Sequence, residues 1–150
     1  DIEAIRQLKA RYFRLMDQKR WEEMRDVFTA DAEFRTPDDT GDDTPIHGRD
    51  AFVDMLVEVL ARTTSVHHGH MSEIAIDGDT ATGVWAMEDD LWWPPEVGLG
   101  HMWGAGWYEE TYRRCDDGEW RIATLYLRRI RIESDGRRLF PKDTGDGGGA

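Results

Sequence analysis

The amino-acid sequence predicts an α+β fold: a cone in which N-terminal helices pack on the concave face of a strongly curved, mostly antiparallel sheet. Three observations predict it. In three stretches of roughly the first 60 positions, apolar residues recur every three or four residues, the helical period. From Val66 onward the period shortens to two, the extended one. Two turn sequences, Asp77-Gly78-Asp79 and Asp116-Asp117-Gly118, divide that extended part into hairpins. Helices followed by long strands segregate the helices onto one sheet face. Strands of about a dozen residues twist and curl, so a pocket is expected between the two layers.

The elements follow in order. In the first helix Ile5, Leu8, Tyr12, Leu15 and Met16 form the apolar stripe, and Arg6, Lys9 and Arg14 fall largely elsewhere. A short second helix is expected over residues 21–28, and residues 32–35 read as a short strand. The polar stretch 36–47, with Pro37, Gly41 and Pro45, reads as a loop or lid. A third helix follows Gly48, with Phe52, Leu56, Val59 and Leu60 on one face. Long strands are expected over residues 66–76, 80–93, 102–115 and 120–133, the second stopped by Pro94-Pro95. In the last, Trp120, Ile122, Thr124, Tyr126, Ile130 and Ile132 sit on alternate positions, with Arg128 the exception. One domain is expected over residues 1–133, followed by a polar tail, 134–150, whose Gly-rich end is expected to fray.

Bulk properties narrow the function classes. A chain of 150 residues suits one domain burying about two-thirds of its unfolded surface. Seven Trp, four Tyr and five Phe make much of that surface flat, rigid ring. The net charge of −12 repels phosphates and opposes a nucleic-acid partner; a solubilising surface accounts for it. Cys115 is the one cysteine, which excludes an internal disulfide and a Cys-rich zinc site and fits a cytoplasmic setting. No apolar run approaches the roughly 20 residues that cross a bilayer, so no membrane partner is expected. No signal-peptide pattern is visible; because the sequence opens on Asp1, an upstream segment is expected to have been trimmed.

A few residues stand out chemically. Asp17 ends an apolar helix, where a negative charge opposes the macrodipole; it is either a solvated charge at the helix end or a functional acid. It is five residues from Tyr12, roughly 140° around an ideal helix, so the two face one pocket only if it wraps the helix or the last turn is distorted. Among His67, His68 and His70, alternation puts His68 and His70 on one strand face and His67 on the other. Two same-face histidines without a carboxylate are too few for zinc, so no metal is expected. Asp89 interrupts the apolar face Trp85, Met87, Leu91, Trp93; a carboxylate there is either catalytic or paired with a strand arginine, Arg113 or Arg114. Trp92, Trp93, Trp103, Trp107 and Tyr108 read mostly as core. Clustered beside a Pro- and Gly-rich loop, Trp92, Trp103 and Trp107 are candidates to line a pocket for a flat ligand.

Several segments carry a family resemblance. Arg11-Tyr12-Phe13-Arg14-Leu15-Met16-Asp17, Trp21 and Phe28-Thr29-Ala30-Asp31-Ala32-Glu33-Phe34 resemble the opening of SnoaL-like proteins, within the nuclear-transport-factor-2-like superfamily. His47-Gly48-Arg49, Val66-His67-His68-Gly69-His70-Met71, Trp85-Ala86-Met87-Glu88-Asp89 and the closing Glu110-Thr111-Tyr112-Arg113-Arg114 with Trp120-Arg121-Ile122 fit as well. The superfamily includes scytalone dehydratase, bile-acid 7α-dehydratase, a hexachlorocyclohexane dehydrochlorinase, ketosteroid isomerase, polyketide cyclases and limonene epoxide hydrolase. Similarity to the dehydratase and dehydrochlorinase branch implies catalytic roles for Tyr12, Asp17 and His67, with His68 as the alternative imidazole. It also implies an acid at Asp89, or at Asp90, and a substrate-binding arginine at Arg114.

The implied activity is cofactor-independent: His–Asp acid/base lysis of the dehydratase kind, or isomerisation, of a hydrophobic cyclic molecule. A polyketide-cyclase type of enzyme and a non-catalytic small-molecule-binding module are the alternatives. Family habit implies a homo-oligomer, a dimer or trimer. So does the mixing of Arg128, Arg129 and Arg131 with Leu125 and Leu127, which leaves neither face of the last strand cleanly polar.

Overall fold

A computed structural model describes residues 1–143. The expected fraying of residues 145–150 lies outside the described residues. The chain order is α1 (Ile2–Asp17), α2 (Trp21–Arg25), β1 (Phe28–Arg35), α3 (Pro37–Thr40), β2 (Ile46–His47), α4 (Arg49–Leu60), β3 (Thr64–Asp77), β4 (Thr80–Trp92), β5 (His101–Arg114), β6 (Trp120–Ser134) and β7 (Arg137–Phe140). The strands form one curved sheet in the order β2-β1-β6-β5-β4-β3, with β7 also on β6. All pairs are antiparallel except β1 with β6. No described helix is long and apolar enough to cross a membrane.

The helix α1 forms because Ile5, Leu8, Tyr12, Phe13, Leu15 and Met16 make one buried stripe, which packs against β3. The stripe contains a charge that the sequence placed elsewhere: Lys9 is fully buried. Its partner is Glu110 on β5, equally buried, and Glu110 also accepts from the Tyr112 hydroxyl. The hydroxyl of Tyr112 in turn accepts from Trp85 Nε1 at 2.8 Å. Lys9 Nζ lies 3.8 Å from the Tyr12 ring centre and 3.6 Å from that of Tyr108, so a cation sits behind both phenol rings. Burial pushes the Lys9 ammonium down to about 8 against the pull of Glu110.

Further on, α2 is shorter than its periodicity predicts. Phe28 leaves the helix to open β1, where it registers with Ile122 of β6 and meets Phe34 and Phe52 edge-on or nearly so. Phe34 and Phe52 stack with centres 3.7 Å apart, joining β1 to α4. Residues 134–140 are not merely a polar tail: the Asp135-Gly136 turn folds β7 back onto β6.

Bulges decide which side chains of the long strands face inward. The register of β6 on β5 shifts between Thr111 and Tyr112 and again between Ala105 and Gly106. Each shift inserts one residue of β6, Ala123 and then Ile130. Leu125, Leu127 and Arg129 therefore turn inward with Ile122 and Ile132, and Thr124 and Ile130 turn to solvent. The alternating set Trp120, Ile122, Thr124, Tyr126, Ile130 and Ile132 accordingly does not share one face, because strict alternation fails wherever a residue is inserted. The mixture of Arg and Leu in this strand thus has a cause inside the monomer.

Candidate active site

The cone encloses a cavity of about 590 Å³ between α4 and the concave sheet face. Its walls are apolar: Phe52, Met55, Leu56, Val59 and Leu60 from α4 face Leu91, Leu125, Leu127 and Ile132 from the strands. Five polar side chains enter it from the sheet and α1: Tyr12, His67, Asp89, Tyr108 and Arg129. At the mouth stand α3 with its flanks Thr36 and Gly41, together with Leu139 and Lys142.

Asp17 reaches this centre from behind. It is the last residue of α1, after which Lys19 turns left-handed at φ 59° and the chain reverses. Arg20 N–H donates to Leu15 O at 2.9 Å and Lys19 N–H to Met16 O at 3.1 Å, a Schellman termination with lysine where glycine is usual. The compensation that an acid at this helix end needs comes from β3. His67 Nδ1 lies 2.6 Å from Asp17 Oδ1, the His67 backbone N–H donates to Oδ2 at 2.9 Å, and Ser65 Oγ donates to Oδ1 at 2.9 Å. Lys19 Nζ completes the chain by donating to Ser65 Oγ at 2.7 Å. Burial pushes the Asp17 carboxyl up, but the two hydrogen bonds from His67, its charge and the Ser65 hydroxyl outweigh burial and hold it below its ordinary value.

An ionised Asp17 assigns the imidazole tautomer. It accepts a hydrogen bond from Nδ1–H, so in the neutral ring Nε2 carries the lone pair. The nearest acid on that side, Asp89, has Oδ2 3.8 Å from Nε2, beyond hydrogen-bond reach. Asp89 is instead occupied by Arg129, whose Nη1 and Nη2 donate to its two oxygens at 2.7 and 2.9 Å. The other edge of the same guanidinium holds α3: Nε donates to Asp39 Oδ1 at 2.8 Å and Nη2 to Oδ2 at 3.1 Å. Across the cavity, burial is the main force raising the Tyr12 phenol well above its ordinary value, with Tyr108 and the acids Glu110 and Asp89 adding to it. Burial likewise raises Tyr108. Both phenols stay protonated and able to donate.

The structure thus brings Tyr12, Asp17, His67 and Asp89 together. Tyr12 and Asp17 need not share a cavity face, because Tyr12 lines the cavity and Asp17 stands behind the imidazole. The alternatives His68 and Asp90 point out of the cone; His68 lies 3.7 Å from Glu88, and Asp90 lies 2.6 Å from His101. The binding residues expected at Trp92, Trp103, Trp107 and Arg114 are not at the cavity. On β5 the even-numbered residues from Gly104 to Tyr112 are buried, so Trp103 and Trp107 face outward, Trp107 onto Glu109 at 3.1 Å. Trp92 is 42 % exposed and stacks on His101, while its neighbour Trp93 lines the cavity. Arg114, at the remote end of β5, binds Asp1 at 2.9 Å and Asp79 at 3.1 Å. The arginine that meets Asp89 is Arg129, not Arg113 or Arg114. A signal for it existed, since Leu125, Leu127 and Arg129 share a period-two stripe. Asp39 had none.

Among the described residues, no group of three or more His, Cys, Asp and Glu side chains is arranged to hold a metal ion. The comparisons agree with this architecture. Kfla4162 protein from Kribbella flavida is 24 % identical, with a TM-score of 0.82 over 89 % of this chain and 93 % of that one. Rv3472, a function-unknown protein from Mycobacterium tuberculosis, is 29 % identical, with a TM-score of 0.73 over 87 % of this chain and 72 % of the other. A protein from Catenulispora acidiphila, solved in complex with S-DNPA, is 25 % identical, with a TM-score of 0.70 over 85 % and 92 % of the two chains. The family model described as a SnoaL-like domain matches residues 1–126, and the chain belongs to that family.

Proposed function

We propose that the protein is a cofactor-independent lyase of the dehydratase kind, acting on a hydrophobic cyclic small molecule bound in the cone. One observation carries this reading: an imidazole whose Nδ1 is held by an ionised aspartate turns its free Nε2 into a largely apolar cavity. That is the arrangement of a general base with its orienting acid. His67 Nε2 takes a proton from the carbon next to a carbonyl, whose oxygen is the electron sink. The electron pair of the broken C–H bond moves onto that oxygen, which accepts a hydrogen bond from Tyr12 or Tyr108. The charge then returns to carbon, the bond to the β-hydroxyl breaks, and the hydroxyl leaves as water with the proton carried by the imidazolium. Asp17 stabilises that cation, and Asp89, fixed in place by Arg129, accepts hydrogen bonds from the substrate's hydroxyl groups. Complex formation by the Catenulispora acidiphila relative supports small-molecule binding. The same base and donors suit an isomerase, in which the proton returns to a neighbouring carbon. We also propose that the protein works as a homo-oligomer assembled through the outer sheet face, where Trp92 and Ile130 are exposed.

The test is hydrogen exchange in heavy water. A substrate or product analogue with an acidic ring C–H should incorporate deuterium on the wild-type protein and lose this by about 10²–10⁴-fold on His67→Ala. Exchange unchanged by His67→Ala would end the proposal.

A further inference from the structure

Arg129 is the one cation set deep among the cavity's described residues, and it has nothing left to offer an anion. A guanidinium carries five N–H donors. Here Nε donates to Asp39, one proton of Nη2 to Asp39 and the other to Asp89, and Nη1 to Asp89 and, at 3.5 Å, to Met87 Sδ. The Arg129 side chain is 2 % exposed, so these partners cover nearly all of it. A second acid of α3, Asp38, accepts the Arg129 backbone N–H at 2.8 Å and pins α3 to β6. The placement follows from topology. On that edge of β6, pairing with β1 ends at Tyr126 and pairing with β7 begins at Ile132, and α3 packs on the strand between them. Three carboxylates therefore line the cavity, Asp38, Asp39 and Asp89, against Arg129 inside and Lys142 exposed at the rim.

We propose that Asp39 is a charge filter. By saturating Arg129 it makes the cavity a receptor for cyclic ligands without an anionic group and turns away the same ring systems bearing a carboxylate, sulfonate or phosphate. The inference narrows the substrate class of the lyase reading and rests on that reading for the identity of the site. The physical cause is that the buried guanidinium already has its carboxylate partners in place, so an entering anion meets like charge and leaves charges without partners. An anion entering beside Arg129 must either displace Asp39 or lie against three acids.

Two fluorescent probes sharing one ring system test this: uncharged N-phenyl-1-naphthylamine and 1-anilinonaphthalene-8-sulfonate, which adds a sulfonate. Wild-type protein should bind the uncharged probe at least about tenfold more tightly than the sulfonate. Asp39→Asn should narrow that gap by about tenfold, chiefly by improving sulfonate binding, and Asp39→Glu should restore it. Asp116→Asn, on the exposed β5–β6 turn, changes net charge equally and should leave the gap untouched. If circular dichroism shows that Asp39→Asn is unfolded, Asp39→Ser takes its place. Equal affinities in the wild type, a gap unmoved at position 39, an equal response at Asp116, or no binding of the uncharged probe would each overturn the proposal. Because no turnover is involved, a failed filter leaves the role of His67 standing, and a failed His67 test leaves the probe ratios standing.

Discussion

Replacing Asp17 by asparagine should convert the imidazole into the wrong tautomer while preserving the fold. Asp17 accepts three hydrogen bonds, two from donors that can rearrange and one from the fixed backbone N–H of His67. Asparagine has a single carbonyl oxygen, and placing its NH₂ against that backbone N–H would oppose two donors at a cost of about 1–3 kcal/mol. The side chain therefore gives its oxygen to the backbone and turns its NH₂ toward Ser65 Oγ and His67 Nδ1. Ser65 adapts by rotating its hydroxyl. The imidazole adapts by moving its proton to Nε2, which removes the lone pair that the proposed reaction uses. Positive charge on the ring also loses its counter-ion. Turnover should fall about 10²–10⁴-fold, with ligand affinity little changed and stability lowered by no more than about 1–3 kcal/mol. Nitrogen-15 NMR of the imidazole reads the tautomer without a substrate, and a coupled pair of measurements, kcat and thermal unfolding, reads the rest. A wild-type tautomer in Asp17→Asn refutes the hydrogen-bond argument. Near-normal turnover combined with a large loss of stability makes the pair scaffolding and refutes the catalytic one.

Other perturbations test the surrounding framework. Lys9→Met strands buried Glu110 and should cost about 3–5 kcal/mol in urea unfolding, whereas the double variant Lys9→Met with Glu110→Gln should recover most of it; equal losses would mean the pair is not coupled. Because the folded state holds the Asp17 carboxyl below its unfolded value, its contribution to stability is fully present above the unfolded pKa, about 3.9, and is lost as pH falls through the folded one. Unfolding midpoints of wild type and Asp17→Asn should accordingly converge as pH drops below about 4, and a gap that widens there contradicts the sign. Light scattering at micromolar concentration should report a multiple of 17.3 kDa; the monomer mass would refute assembly through the outer face.

Much of the fold was legible because periodicity survives without tertiary context. The stripe of α1, the helix after Gly48 and four long strands all follow from the spacing of apolar residues, and strand ends came within about two residues because glycine turns and Pro94-Pro95 mark them. Asp17 was legible for a different reason: an acid at the end of an apolar helix is anomalous by itself. What periodicity could not carry was any residue whose role depends on a partner far along the chain. Lys9 sits 101 residues from Glu110, and a buried lysine looks like a surface one until its counter-ion is known. Asp39, 90 residues from Arg129, lay in a stretch that composition marks only as polar loop. Trp103 and Trp107 were placed by the company of a loop, but a strand's pleat leaves no choice between faces once its neighbour in register is fixed.

The amino-acid sequence by itself determined α1, the helix after Gly48, the four long strands and their order, because these are set by neighbours within a few residues. In contrast, α3 and β2, in a stretch read as a loop, and β7, in a stretch read as a tail, needed β6 and β1 to pack against. Only the tertiary structure decided which side chains meet in the cone. A bulge is one inserted residue whose position depends on how two strands align; the insertion of Ala123 in β6 turns Arg129 inward beside Asp89, and that of Ile130 returns Ile132 to the same face.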